Sequence, residues 1–151
     1  MSECERIHDQ LERAFAGNAW HGPALTEVLD GVDAARAVRR PLAHAHTIWE
    51  IVLHVAAWEA AALRRLSGEE AKLTDAEDWP AVGGSGEPAW RAALAALERG
   101  NRALRAAVLA LPDARLEEPA PGASYSLYVL LHGVVQHDLH HAGQIALLKQ
   151  G

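Results

Sequence analysis

An apolar seam near the end of the chain has two histidines set into it. It runs through Leu127, Leu130/Leu131, Val134, His137/Asp138, His141, Ile145 and Leu148, the recurrence of one buried helix face. The two histidines therefore stand where a bundle core residue should be. They are four residues apart, which sets them about 40° apart around a helix. An H-x-x-x-H pair on one helix face is two-thirds of a metal clamp and needs a third ligand from elsewhere.

Three other long helices are expected. One spans about Glu3 to Ala16, with Ile7, Leu11, Ala14 and Phe15 as its stripe and Gly17-Asn18 as its stop. A second starts at the capping box Thr47-x-x-Glu50 and runs to about Leu66, where Ser67-Gly68 closes it. A third begins near Pro88, carries Trp90, Leu94, Leu97, Asn101, Leu104, Val108 and Leu111, and ends at Pro112. Short helical turns are expected over Ala24 to Leu29 and from Asp33 to Val38, with Arg40-Pro41 ending that stretch. Ser126 or Ser124 caps the last helix. Residues 69–87 hold Trp79-Pro80 and Gly83-Gly84-Ser85-Gly86, and read as a linker too long for a tight helix hairpin. A crossover along the bundle fits that length. The expectation is an all-α single domain over residues 1–151.

Composition narrows the function. Half the residues are hydrophobic, and Ala, Leu, Arg and Glu dominate, as in helical proteins. A net charge of −6, with Lys72 and Lys149 the only lysines, argues against nucleic acid as a partner. No apolar run approaches the ~18 residues of a membrane span. Cys4 is the one cysteine, which excludes an internal disulfide and a cysteine-based zinc site. The charged N-terminus does not read as a signal peptide, so a cytoplasmic protein is expected.

Nine histidines remain to be placed. His54 is the best third ligand, because it lies inside another long helix near an apolar face. It is seven residues beyond Thr47, roughly 10 Å into its helix, and His141 is eight residues before Lys149. In antiparallel helices the two fall at nearly one level; in parallel helices they miss by about 9 Å. His140 makes a competing H-x-x-H clamp with His137 but lies off the seam. Three imidazoles suit Zn, Ni, Cu or Fe, and three rather than four protein ligands leave a position for water or substrate. Gln144, one turn beyond His141, is placed to hold that occupant or orient a ligand. Asp138 is either its neighbour or a solvated side chain. His21 and His46 sit in turns that can line the site mouth, Trp58 can wall the pocket, and His8, His44 and His132 read as surface or packing residues. The other tryptophans read mostly as core.

The segments Trp20-His21-Gly22-Pro23, His46-Thr47-Ile48-Trp49-Glu50, His54-Val55-Ala56-Ala57-Trp58-Glu59 and His137-Asp138-Leu139-His140-His141-Ala142-Gly143-Gln144-Ile145 resemble the DinB/YfiT-like superfamily. The resemblance implies a four-helix bundle of up-down-down-up order with a long crossover between helices 2 and 3. By motif it implies a metal triad of His54, His137 and His141, with Zn expected and Ni, Fe or Mn as alternatives. The family name records induction by DNA damage, a stress response. Relatives include bacillithiol S-transferases and a mycothiol-dependent maleylpyruvate isomerase. The resemblance thus implies a metal-dependent S-transferase acting on a low-molecular-weight thiol and an electrophile, in a homodimer. The alternatives are a metal-dependent hydrolase and a non-catalytic, metal-stabilised bundle. A metal site is a firmer inference from a fold than a reaction.

Overall fold

The computed structural model describes residues Met1–Gly151, and every regular element is helical: α1 (Glu3–Ala16), α2 (Leu25–Leu29), α3 (Ala34–Ala37), α4 (Ile48–Leu66), α5 (Asp75–Asp78), α6 (Glu87–Ala110), a 3-10 turn (Asp113–Glu117) and α7 (Leu127–Leu148). The starts follow from side-chain capping. Ser2, Thr47 and Ser126 each accept from the backbone N–H three residues on, satisfying a donor the first turn leaves free. In α1 and α4, Glu5 and Glu50 return the bond to the cap residue's own N–H.

The four long helices pack pairwise, α1 and α4 each against both α6 and α7. Two buried clusters divide the interior. One gathers Phe15, Ile48, Trp49, Val52, Val55, Trp90, Leu97, Ala142, Ile145 and Leu148. The other gathers Ile7, Leu11, Ala62, Leu66, Leu104, Val108, Leu127, Leu131 and Val134. In three helices a buried polar residue stands between them: Glu59 on α4, Asn101 on α6 and Asp138 on α7. Asn101 is therefore a polar core residue with partners, not a bundle-end residue. Trp49 and Trp90 lie in the first cluster, and Trp90 also donates to the Val32 carbonyl at 2.7 Å. Trp20 lies fully exposed in the turn after α1.

The stretch between α4 and α6, expected as a plain linker, contains the one-turn helix α5. Thr74 caps it and Glu77 closes the capping box at 2.8 Å. This short element lays Asp78 and Trp79 against α4, and so builds part of the site.

Candidate metal centre

His54 projects from α4 and His137 and His141 from α7, and the three meet. His137 Nε2 lies 3.0 Å from His54 Nε2 and 3.1 Å from His141 Nε2. One ring nitrogen of each lies within 4.8 Å of those of the other two. His54 and His141 are buried, and His137 is partly so.

The other ring nitrogens are occupied, which settles what the converging ones offer. His54 Nδ1 donates to the Asp78 carbonyl at 2.7 Å, with Asp78 Oδ1 at 3.1 Å. His141 Nδ1 donates to Gln144 Oε1 at 2.7 Å. Tautomers assigned from these partners put the protons on Nδ1, leaving both Nε2 atoms as lone pairs. His137 Nε2 faces both lone pairs and carries at most one proton. A hydrogen bond can satisfy only one of the two contacts; a cation can satisfy all three. Tetrahedral coordination at ~2.05 Å places ligand nitrogens about 3.3 Å apart, so the two contacts His137 makes, at 3.0 and 3.1 Å, need to open by only a few tenths of an ångström. The donor set fits a divalent transition metal.

Electrostatics prepares the triad. Burial, helped by the neighbouring imidazoles, pushes His137 down to about 3. Burial also pushes His141 to about 4, against the opposing pull of Gln144. For His54 burial again dominates and holds it below the ordinary histidine range, while Asp78 pulls back. All three rings are thus neutral at pH 7, the form that binds metal.

Aromatic rings frame the group. Trp79 stacks on His54 with centroids 3.8 Å apart, and His46 stacks on the other face of Trp79 at 3.5 Å. Trp58 stands 6.3 Å from His137, and its indole N–H donates to Asp78 Oδ1 at 2.6 Å. Two clefts reach the triad from different sides. One of about 260 Å³ is lined by Trp58, Tyr125, Val129, Gly133, Val134 and His137, among others. The other, of about 540 Å³, includes His44, His46, Trp79, His140, His141 and Gln144 in its walls.

The expected neighbours divide. His46 and Trp58 lie at the mouth and wall of the site. Gln144 sits behind His141 and orients its ring; its oxygen bonds the nitrogen that faces away from the cluster. His140 lines the larger cleft outside the triad. His21 is not brought there. It shares a separate depression with Val135 and Leu139, which flank His137 by two residues and so face roughly the opposite side of α7. Asp138 is neither solvated nor a partner of the triad: it is fully buried, opposite Glu59. Asp78 and Trp79 were not anticipated as site residues. The Thr74-x-x-Glu77 capping box just before them was the available signal.

Behind the triad lies a second polar group. Asn101 Nδ2 donates to Glu59 Oε1 at 3.0 Å, and Arg105 donates to Asn101 Oδ1 at 2.8 Å. Glu59 Oε2 and both Asp138 oxygens have no donor. Burial raises Glu59 to about 7. Burial and then the adjacent Glu59 charge raise Asp138 well above the usual carboxylate range. The pair therefore holds a proton between its oxygens at neutral pH.

An all-helical fold with three convergent histidines from two of its long helices defines a class of helical proteins whose histidine triad could hold a metal ion. Residues 5–145 match the DinB superfamily, and the chain belongs to it. No curated protein and no solved structure matches the chain.

Proposed function

We propose that this protein is a metal-dependent enzyme that joins a low-molecular-weight thiol to an electrophile. The observation that carries the reading is the convergence of three neutral imidazole nitrogens reached by two separate clefts. A divalent ion held there, Zn in the first instance, would favour the thiolate of a bound thiol. The chain's own residues supply the rest. Asp78 and Gln144 hold two rings in the ligating tautomer, Trp79 screens His54 from water, and the two clefts give each reactant its own approach. Cys4 is not the reacting thiol. It is buried in the second core cluster, and burial with the Asp113 carboxylate beside it pushes it up to about 11.

Hydrolysis needs a general base at the centre, and the nearby carboxylates are committed elsewhere. Glu50 is engaged by the Thr47 N–H at 2.7 Å and by Arg40 at 2.8 Å. Asp78 is held by Trp58 and His54. Asp138 is buried with Glu59. These positions favour the transferase over the hydrolase.

The same reading takes the bundle as up-down-down-up, acting in the cytoplasm as a homodimer. The core clusters support the order: each brings the C-terminal half of α1 or α7 together with the N-terminal half of α4 and α6, or the reverse. No helix is long and apolar enough to cross a membrane. Light scattering on the eluting protein tests the dimer. Metal-loaded protein mixed with bacillithiol, mycothiol or glutathione and a model electrophile tests the reaction. Thioether formation that requires metal is expected; none with any of the three thiols refutes it. A large metal-dependent gain in melting temperature without such activity favours the non-catalytic bundle.

A further inference from the structure

The smaller cleft beside His137 is lined mostly by apolar side chains, and one of its walls, Tyr125, is backed by a cation. That cation is Arg65, one layer behind. Arg65 is buried at 6% exposure, and its guanidinium carbon lies 5.9 Å from the Trp58 ring centroid. Its Nη1 donates to the Tyr125 hydroxyl at 2.7 Å, and its Nε donates to the Glu70 carbonyl. No carboxylate pairs with it. Glu69 is taken by Arg64 at 2.9 Å, and Glu70 turns its carboxylate to Lys72 at 3.6 Å. A buried guanidinium with only neutral partners is a costly arrangement unless a counter-charge arrives. Because the Tyr125 oxygen accepts from Arg65, its own proton is left to donate, and Tyr125 lines the cleft.

The cleft is also held open by a missing side chain. Gly133 lies in the interior of α7, where glycine weakens a helix relative to alanine. A Cβ built there meets no atom within 4 Å, so close packing does not demand the glycine. What the glycine leaves is space beside Val129, Trp58 and His137.

We propose that this cleft binds the electrophile, and that the electrophile is a small apolar acid whose carboxylate is held by the Tyr125 hydroxyl with Arg65 behind it. Its apolar body lies along Trp58, Val129 and the open space at Gly133, and its other end reaches His137. At about 260 Å³ the cleft is smaller than the ~300 Å³ at which pockets for drug-sized ligands begin, which limits the ligand to a small acid. Only the identification of this acid with the electrophile rests on the transferase reading. The binding site itself is tested on protein stripped of metal.

The probes are phenylacetate and its neutral isostere phenylacetamide, titrated into chelator-treated protein by calorimetry and ligand-observed NMR. The acid binds at least about 10-fold tighter than the amide, as one charge-assisted hydrogen bond provides. Tyr125→Phe and Arg65→Gln each remove that preference and leave the weak binding of the amide. Gly133→Leu fills the cleft, improves the helix and abolishes binding of both probes, while circular dichroism and metal stoichiometry stay as in the parent. Equal binding of acid and amide by the parent overturns the proposal. So does unchanged binding in Gly133→Leu, or absence of binding because a second copy of the chain covers the face. Acid binding by metal-free protein with no thiol-transfer activity from the metal-loaded form would sink the transferase reading and leave the subsite standing.

Discussion

The buried Glu59–Asp138 pair makes a quantitative prediction, tested by Glu59→Gln. Burial raises the Glu59 carboxyl from 4.5 to about 7 in the folded protein. A raised value means that the folded state holds a proton which the unfolded chain releases. The stability this brings is complete below about pH 4.5 and is lost as pH climbs toward 7. The loss runs at about 1.36 kcal/mol per pH unit for one proton, or about 3 kcal/mol across the whole interval. Glutamine keeps the oxygen that accepts from Asn101 and turns an N–H toward Asp138, so it needs no titrating proton. The variant is therefore expected to gain on the parent by on the order of a few kcal/mol between pH 5 and 7, roughly 5–10 °C in Tm for a chain of this size. Urea unfolding in the presence of chelator, run on both proteins at half-unit steps, measures it. The difference between the two curves is the reporting quantity. His54, His137 and His141 have lowered values and add stability as pH rises toward 6.5, so they tilt both curves alike. A difference that is flat with pH, or that shrinks as pH rises, would refute the shared-proton account.

Three further outcomes are expected. His137→Ala abolishes tight metal binding while the helical circular dichroism spectrum persists; stoichiometric metal retained by that variant would remove His137 from the ligand set. Because burial puts His137 near 3 and His141 near 4, protons barely compete for these two ligands at pH 5.5. Competition with a chromophoric chelator should show less than about a tenfold loss of affinity between pH 7.5 and 5.5, where two unshifted imidazoles would lose roughly 100-fold. Asp78→Ala releases the Trp58 indole and removes one contact to His54 Nδ1, so metal affinity falls about tenfold and Trp58 fluorescence changes; unaltered affinity would show that the backbone carbonyl alone orients His54.

The triad was readable because two local regularities met. Seam spacing put His137 and His141 on a core face, and counting from capped ends put His54 at a matching depth. Both depend on helix geometry, which neighbouring residues set among themselves. The supporting side chains were harder to see. Gln144 was marked by its spacing, but which of the two His141 ring nitrogens it would meet depended on the rotamers of both. Asp138 neighbours His137 in sequence, yet a step of about 100° around the helix turns it into the interior, where Glu59 and Asn101 happen to face it.

Sequence alone determined the four long helices and the placing of His137 and His141 on one helix face, since each rests on contacts within about one turn of chain. Only the tertiary structure decided what surrounds the clamp. Asp78 and Trp79 reach it from a connection in which Asp78 lies 20 residues along the chain from Trp58 and 24 from His54, and Arg65 meets Tyr125 across 60 residues. Contacts of that separation leave no periodic trace. They exist because packing four long helices brings the crossover and the start of α7 against the same face of α4.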